Sequence, residues 1–106
     1  MRRGEALERI EQELVAEKAA ALGRAGERLE QALREVAALG ARYDAARDPA
    51  ARVRLGGEHE RARAGAAGAR LALVIQREAV GLRHHRDVDR QFPEPPSLRA
   101  RRAPSA

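Results

Sequence analysis

The sequence predicts an all-α protein: a two-helix antiparallel coiled-coil hairpin with a disordered basic C-terminal tail. Composition is the first reason, because 35% of the 106 residues are charged and only 2% are aromatic, while Ala, Leu, Glu and Arg, all strong helix formers, dominate. The second reason is that apolar residues recur at steps of three and four along two long stretches, as in a coiled coil. Asp48-Pro49 is the third, since Asp caps helices and Pro suits their first position.

The first helix is predicted over residues 5–43. Apolar or small residues occupy its core positions with the spacing of a coiled coil, interrupted by one step of eight. These positions are Leu7, Ile10, Leu14, Leu22, Ala25, Leu29, Ala32, Val36, Leu39 and Tyr43.

A turn over residues 44–48 and a second helix over residues 49–91 follow. A link this short makes the two helices antiparallel neighbours. The predicted core positions of the second helix are Val53, Gly57, Glu60, Ala64, Ala67, Leu71, Val74 or Ile75, Glu78, Leu82, His85, Val88 or Asp89, and Phe92.

The position of the turn predicts which residues face each other. Folding the chain about residue 46 places Ala25 opposite Ala67 and Ile10 opposite Leu82. Large apolar residues cluster between Leu71 and Leu82, and this register packs them against Leu7, Ile10 and Leu14. The two chain ends would therefore be held together by the strongest apolar packing, at about 25 cal/mol per Å² of buried apolar surface.

Residues 1–92 are thus predicted to form the hairpin, and residues 93–106 the tail. Pro93-Glu-Pro-Pro96 ends the helix, because the residue before a proline disfavours helical backbone. The rest of the chain has no apolar periodicity and contains Arg99, Arg101 and Arg102, so we expect it to be disordered.

The segment 71–82 also predicts an interface. At 100° per residue, Leu73 is rotated by about 200° from Leu71, so apolar side chains are expected on two sides of one helix. An apolar face left exposed usually marks an interaction surface. The candidate interface residues are Leu71, Leu73, Val74, Ile75, Val80 and Leu82, with Leu73, Ile75 and Val80 on the side away from the first helix.

No catalytic or cofactor motif is recognisable in the sequence. Cysteine is absent, and the ligand-like cluster around His84 and His85 offers His85 and Asp89 on one helical face. Zinc sites need three or four protein ligands, so we interpret these histidines as surface residues. We expect no enzyme activity, no metal, no cofactor and no small-molecule substrate.

The location predicted from the sequence is the cytoplasm. A basic start, Met1-Arg2-Arg3, is followed by no apolar stretch of the kind that secretory signals contain. No segment approaches the roughly 20 apolar residues of a membrane-spanning helix.

Charge separates the two halves of the chain and leaves two functions open. Residues 1–46 carry eight basic and nine acidic side chains, whereas residues 47–106 carry thirteen basic and seven acidic ones. The favoured prediction is a non-enzymatic interaction module that self-associates as a dimeric four-helix bundle or docks on a protein partner. The alternative is a nucleic-acid-associated protein that binds phosphates non-specifically through its Arg-rich second half, including Arg99, Arg101 and Arg102.

Overall fold

A computed structural model describes residues 2–101 and confirms the all-α helical hairpin. Helix α1 spans Arg3–Ala45 and helix α2 spans Pro49–Ala79, and the two pack side by side. Two short helices follow, α3 over Arg86–Gln91 and α4 over Leu98–Arg101. The described part measures 70 × 30 × 14 Å, so its length is that of α1 and its thickness is little more than one helix.

The turn between α1 and α2 forms for the predicted reason. Asp48 is the N-cap of α2, its carboxylate accepts a hydrogen bond of 3.0 Å from the Ala51 amide, and Pro49 is the first helical residue. Arg52 then closes the turn by donating to the carbonyls of Tyr43 and Ala46 at 2.9 and 3.0 Å. Its guanidinium also lies 4.2 Å from the centroid of the Tyr43 ring, a cation–π contact.

The core lies along one line of each long helix. On α1 the buried residues are Ala25, Leu29, Val36, Leu39 and Gly40, which include four of the predicted core positions. On α2 they are Leu55, His59, Ala66 and Leu73. Leu55 and Leu73 are five helical turns apart, so one line connects them.

The predicted core face of α2 is wrong. Val53, Glu60, Ala64, Ala67 and Leu71 are exposed, and α1 packs against the opposite side of the helix. The predicted face carries Glu60 and Glu78, and burying either carboxylate without a partner would cost several kcal/mol. The face that is buried instead carries His59, which can be buried in its neutral form.

The predicted register changes with the face. Ala25 does not face Ala67, because Ala67 is exposed. Of the adjacent residues Ala66 and Ala67, only Ala66 is buried. A Cβ added to Gly40 would lie 3.6 Å from the His59 ring, and one added to Gly56 would lie 3.6 Å from the Tyr43 ring. These neighbours show that α2 is displaced along α1 by about two turns from the predicted register.

Helix α2 ends at Ala79, not at Gln91 as predicted, and Gly81 explains why. Gly81 has φ of 94°, a left-handed conformation that glycine adopts without strain. The Leu82 amide donates to the Arg77 carbonyl at 2.9 Å, and the Gly81 amide donates to the Glu78 carbonyl at 3.0 Å. This pair of hydrogen bonds is a Schellman motif, which ends a helix.

After this stop the chain turns back along the groove between α1 and α2. We call residues 82–101 the return segment. Val88 of α3 is buried against Ala25, Leu29 and Leu73, and Phe92 packs on the same cluster. Beyond it, residues 93–97 are not helical, and Arg101 of α4 pairs with Asp44 near the turn. The predicted disordered tail covers residues 93–106, of which residues 102–106 lie outside the described range.

Because α2 is shorter than α1, the first part of α1 has no helix beside it. We call residues 3–20 the α1 overhang. Leu7, Ile10 and Leu14 lie in it, and each is more than half exposed. The predicted packing of these residues against the segment 71–82 is therefore wrong, since α2 ends before it reaches them.

The buried alanine of α2 provides a test of this register. Ala66 is 3% exposed, so Ala66→Leu should lower the free energy of unfolding by roughly 1–3 kcal/mol through overpacking. Ala72 is exposed on the same helix, and Ala72→Leu should be close to neutral. Urea unfolding followed by circular dichroism at one protein concentration measures both. Equal stabilities of the two variants would contradict the register.

Candidate interaction surface

The side of α2 that faces away from α1 carries a line of exposed residues with coiled-coil spacing. We call it the outer face of α2; it consists of Val53, Glu60, Ala64, Ala67, Leu71, Ile75 and Glu78. Leu71 and Ile75 are 60% and 57% exposed. The pattern read from the sequence is thus present, but it is directed outward instead of into the hairpin.

The six candidate interface residues divide into three groups. Leu71 and Ile75 lie on the outer face, and Val74 beside them is half-buried. Val80 and Leu82, 38% and 41% exposed, lie where α2 ends. Leu73 does not belong to this surface: it is 5% exposed and packs in the core with Leu29 and Val88. The 200° rotation between Leu71 and Leu73 was correct, but the two residues were assigned to the wrong sides.

A second apolar surface, which the sequence reading placed inside the hairpin, lies on the α1 overhang. Residues 7–20 are exposed throughout. Leu7 is five helical turns from the buried Ala25, so its line on α1 is the line that packs against α2 farther along. The overhang therefore continues this line beyond the point where its partner helix ends, with Glu11 and Lys18 at the places that correspond to Leu29 and Val36.

The two surfaces differ in charge. The overhang carries five glutamates against Arg3, Arg9 and Lys18, a net charge of −2. Helix α2 as a whole carries six arginines against three glutamates, a net charge of +3, but Arg63, Arg70 and Arg77 are paired with the return segment. Arg54 and Arg61 are exposed beside the outer face of α2, whereas Glu11 is exposed on the overhang stripe and Glu13 beside it.

Three arginines at seven-residue intervals hold the return segment, and the sequence reading missed them. Arg63 Nε donates to the Pro95 carbonyl at 3.1 Å. Arg70 donates to Asp89 at 2.8 Å and to the Phe92 carbonyl. Arg77 donates to both oxygens of Asp87 at 2.9 and 3.0 Å, to the His84 carbonyl and to His85 Nδ1. The seven-residue repeat of Arg was the signal available in the sequence.

A cleft of about 550 Å³ lies between α1 and the return segment, and His59 lines it. His59 is 2% exposed, and its Nδ1 has no hydrogen-bond partner within residues 2–101. Burial lowers the pKa of His59 below its ordinary value, and the nearby charges of Arg101 and Arg63 lower it further. The imidazole is therefore neutral at neutral pH.

The residues predicted as nucleic-acid contacts are Arg99, Arg101 and Arg102. Arg99 is exposed, Arg101 is paired with Asp44, and Arg102 lies outside the described residues. Among the described residues no group of three or more His, Cys, Asp or Glu side chains could hold a metal ion. His85 instead contacts Arg77 and lies 3.4 Å from Glu78.

Within residues 2–101 no helix is both long enough and apolar enough to cross a membrane. Comparisons with protein-family models, with curated proteins and with solved structures found no match.

The Arg77–Asp87 contact gives a prediction for acid conditions. A slight loss of hydration opposes ionisation of the exposed Asp87, but the charge and hydrogen bond of Arg77 and the hydrogen bond from the Val88 amide outweigh it and set the pKa below its ordinary value. Stability from this contact is therefore present above the ordinary carboxyl pKa and is lost as the pH falls through the lowered one. In NMR titrations the Val88 amide, which donates to Asp87, should shift in that acid range, and Asp87→Asn should abolish the shift. A Val88 signal that is independent of pH in the wild-type protein would contradict this contact.

His59 gives a prediction closer to neutral pH. In the unfolded chain the His59 imidazole takes up a proton near pH 6.5. In the folded chain its pKa is lowered, so it does not take up a proton there. The free energy of unfolding should therefore decrease as the pH falls from 7.5 to 5.5. His59→Leu should reduce this dependence, and His84→Gln, at an exposed position, should preserve it. Equal pH dependence in both variants would show that His59 is accessible to protons in the folded state.

Proposed function

We propose that this protein is a non-enzymatic helical interaction module that self-associates or docks on a protein partner. The observation that carries the proposal is the pair of uncovered apolar stripes, one on the α1 overhang and one on the outer face of α2. Each has the spacing of a coiled-coil core, and soluble proteins seldom leave such surfaces uncovered. Self-association is the favoured form, with four long helices in a dimer.

The size of the hairpin supports the same proposal. Apart from His59, its described core consists of small residues and a few leucines and valines, of which Leu29 is the largest fully buried side chain. Units this small gain little net stability from their own core. Covering the exposed Leu71, Ile75, Leu7, Ile10 and Leu14 would add apolar burial that the single chain lacks.

The alternative, non-specific binding of nucleic acid, has weaker support. Arg63, Arg70, Arg77 and Arg101 interact with carboxylates or carbonyls of their own chain. Each would have to exchange such a contact for a phosphate. This function stays a prediction that rests on the excess of arginine in the second half.

Light scattering coupled to size exclusion tests both functions together. Leu71→Glu should leave the helical circular dichroism spectrum intact, because Leu71 is exposed, and should shift the protein to a smaller mass. Ala38→Glu, at an exposed position on α1, is the matched control and should keep the wild-type mass. A Leu71→Glu variant with unchanged mass would show that the outer face of α2 is not the self-association surface.

The same measurement with duplex DNA at two salt concentrations addresses the alternative. Non-specific phosphate contacts predict a complex that forms at low salt and is lost at high salt. A wild-type protein that is monomeric at every concentration and binds DNA in this manner would favour the alternative.

A further inference from the structure

We propose that the α1 overhang of one copy docks on the outer face of α2 of a second copy, reciprocally, in a closed two-fold dimer. This inference rests on the proposed self-association and names its geometry. The overhang, residues 3–20, extends for about 27 Å, and residues 60–77 supply the same length of the outer face, which is longer. Each copy thus supplies one overhang stripe and one outer-face stripe, and a two-fold axis pairs all four stripes of the dimer.

The position of the overhang stripe determines where the second copy lies. The stripe continues the line of α1 that packs against α2. A helix that covers the stripe must therefore lie in the space beyond the end of α2. The second copy's α2 fills it, end to end with the first α2. Along the length of each overhang the dimer then holds three long helices side by side, although it contains four in all.

A two-fold axis perpendicular to the long direction makes the overhang parallel to the α2 that it contacts. With the two stripes in register, Leu7 aligns with Ala64, Ile10 with Ala67, and Leu14 with Leu71. At two of these three positions a large side chain of the overhang meets a small one on α2, as interdigitating knobs and holes require. The same register aligns Glu60 with Arg3, which gives the Glu60 carboxylate a charged partner. The exposed Val80 and Leu82 lie near the axis, where the two α2 ends meet.

Charge favours this pairing over the two alternatives in which each surface pairs with its own copy, overhang with overhang or outer face with outer face. Pairing two overhangs would bring Glu11 and Glu13 of both copies together, and pairing two outer faces would bring Arg54 and Arg61 together. Overhang on outer face instead places the overhang, of net charge −2, beside the exposed Arg61 of the outer face. Opposite charges beside a coiled-coil core favour one partner and register over another.

Disulfide trapping tests the geometry, since the chain has no cysteine of its own. Full-length Leu14→Cys, carrying an affinity tag, is mixed with untagged Leu71→Cys, allowed to exchange subunits, and oxidised. The mixed disulfide should dominate over both homodimeric ones on a non-reducing gel. Val53→Cys is the matched control: it lies on the same face, outside the reach of the overhang, and should give little mixed product with Leu14→Cys.

The outcomes separate this geometry from self-association itself. Dominant Leu14→Cys homodimers, dominant Leu71→Cys homodimers, or equal trapping by Val53→Cys would each overturn the docking geometry while the dimer mass persists in light scattering. A monomeric mass for the unmodified protein would overturn self-association and this geometry together. All three cysteines replace exposed residues, and circular dichroism of each variant verifies that the fold is retained.

Discussion

The unequal length of the two long helices is the constraint on which the rest of this structure depends. Helix α1 has 43 residues and α2 has 31, because Gly81 adopts a left-handed conformation and ends α2. Two features follow directly. The start of α1 extends past its neighbour with an apolar stripe uncovered, and the chain after Gly81 is free to return along the groove between the helices.

The sequence predicted the parts of the fold that local chemistry decides. Asp48-Pro49 determines the start of α2 on its own, and steps of three and four identified the packed line of α1. The face of α2 was not decided locally, because that helix has two lines of apolar or small residues. The choice between them depends on the cost of burying Glu60 and Glu78 and on Val88 returning to pack beside Leu73. The end of α2 was missed because Gly81 stands among residues that otherwise continue the helical pattern.

Only part of the candidate surface was predicted correctly, because the sequence did not decide which side of α2 is buried. Leu71 and Ile75 are exposed as an interface requires, but Leu73 is buried, since one rotation of the helix exchanges the two sides. The excess of arginine in the second half suggested an external polyanion. Much of it serves the fold instead, because Arg63, Arg70 and Arg77 lie on one line of α2 and hold residues 84–95 through carboxylates and carbonyls. Only the folded chain brings these groups together.

The contact between Arg52 and Tyr43 at the turn has a consequence for the order in which the chain folds. It joins residues nine positions apart, whereas Arg70 and Phe92 are 22 apart and Asp44 and Arg101 are 57 apart. Closing a short loop costs less chain entropy than closing a long one, and proteins rich in local contacts fold fast. The hairpin is therefore expected to nucleate at the turn and to extend toward Gly81. The return segment docks last, on a groove that exists only once both helices have formed.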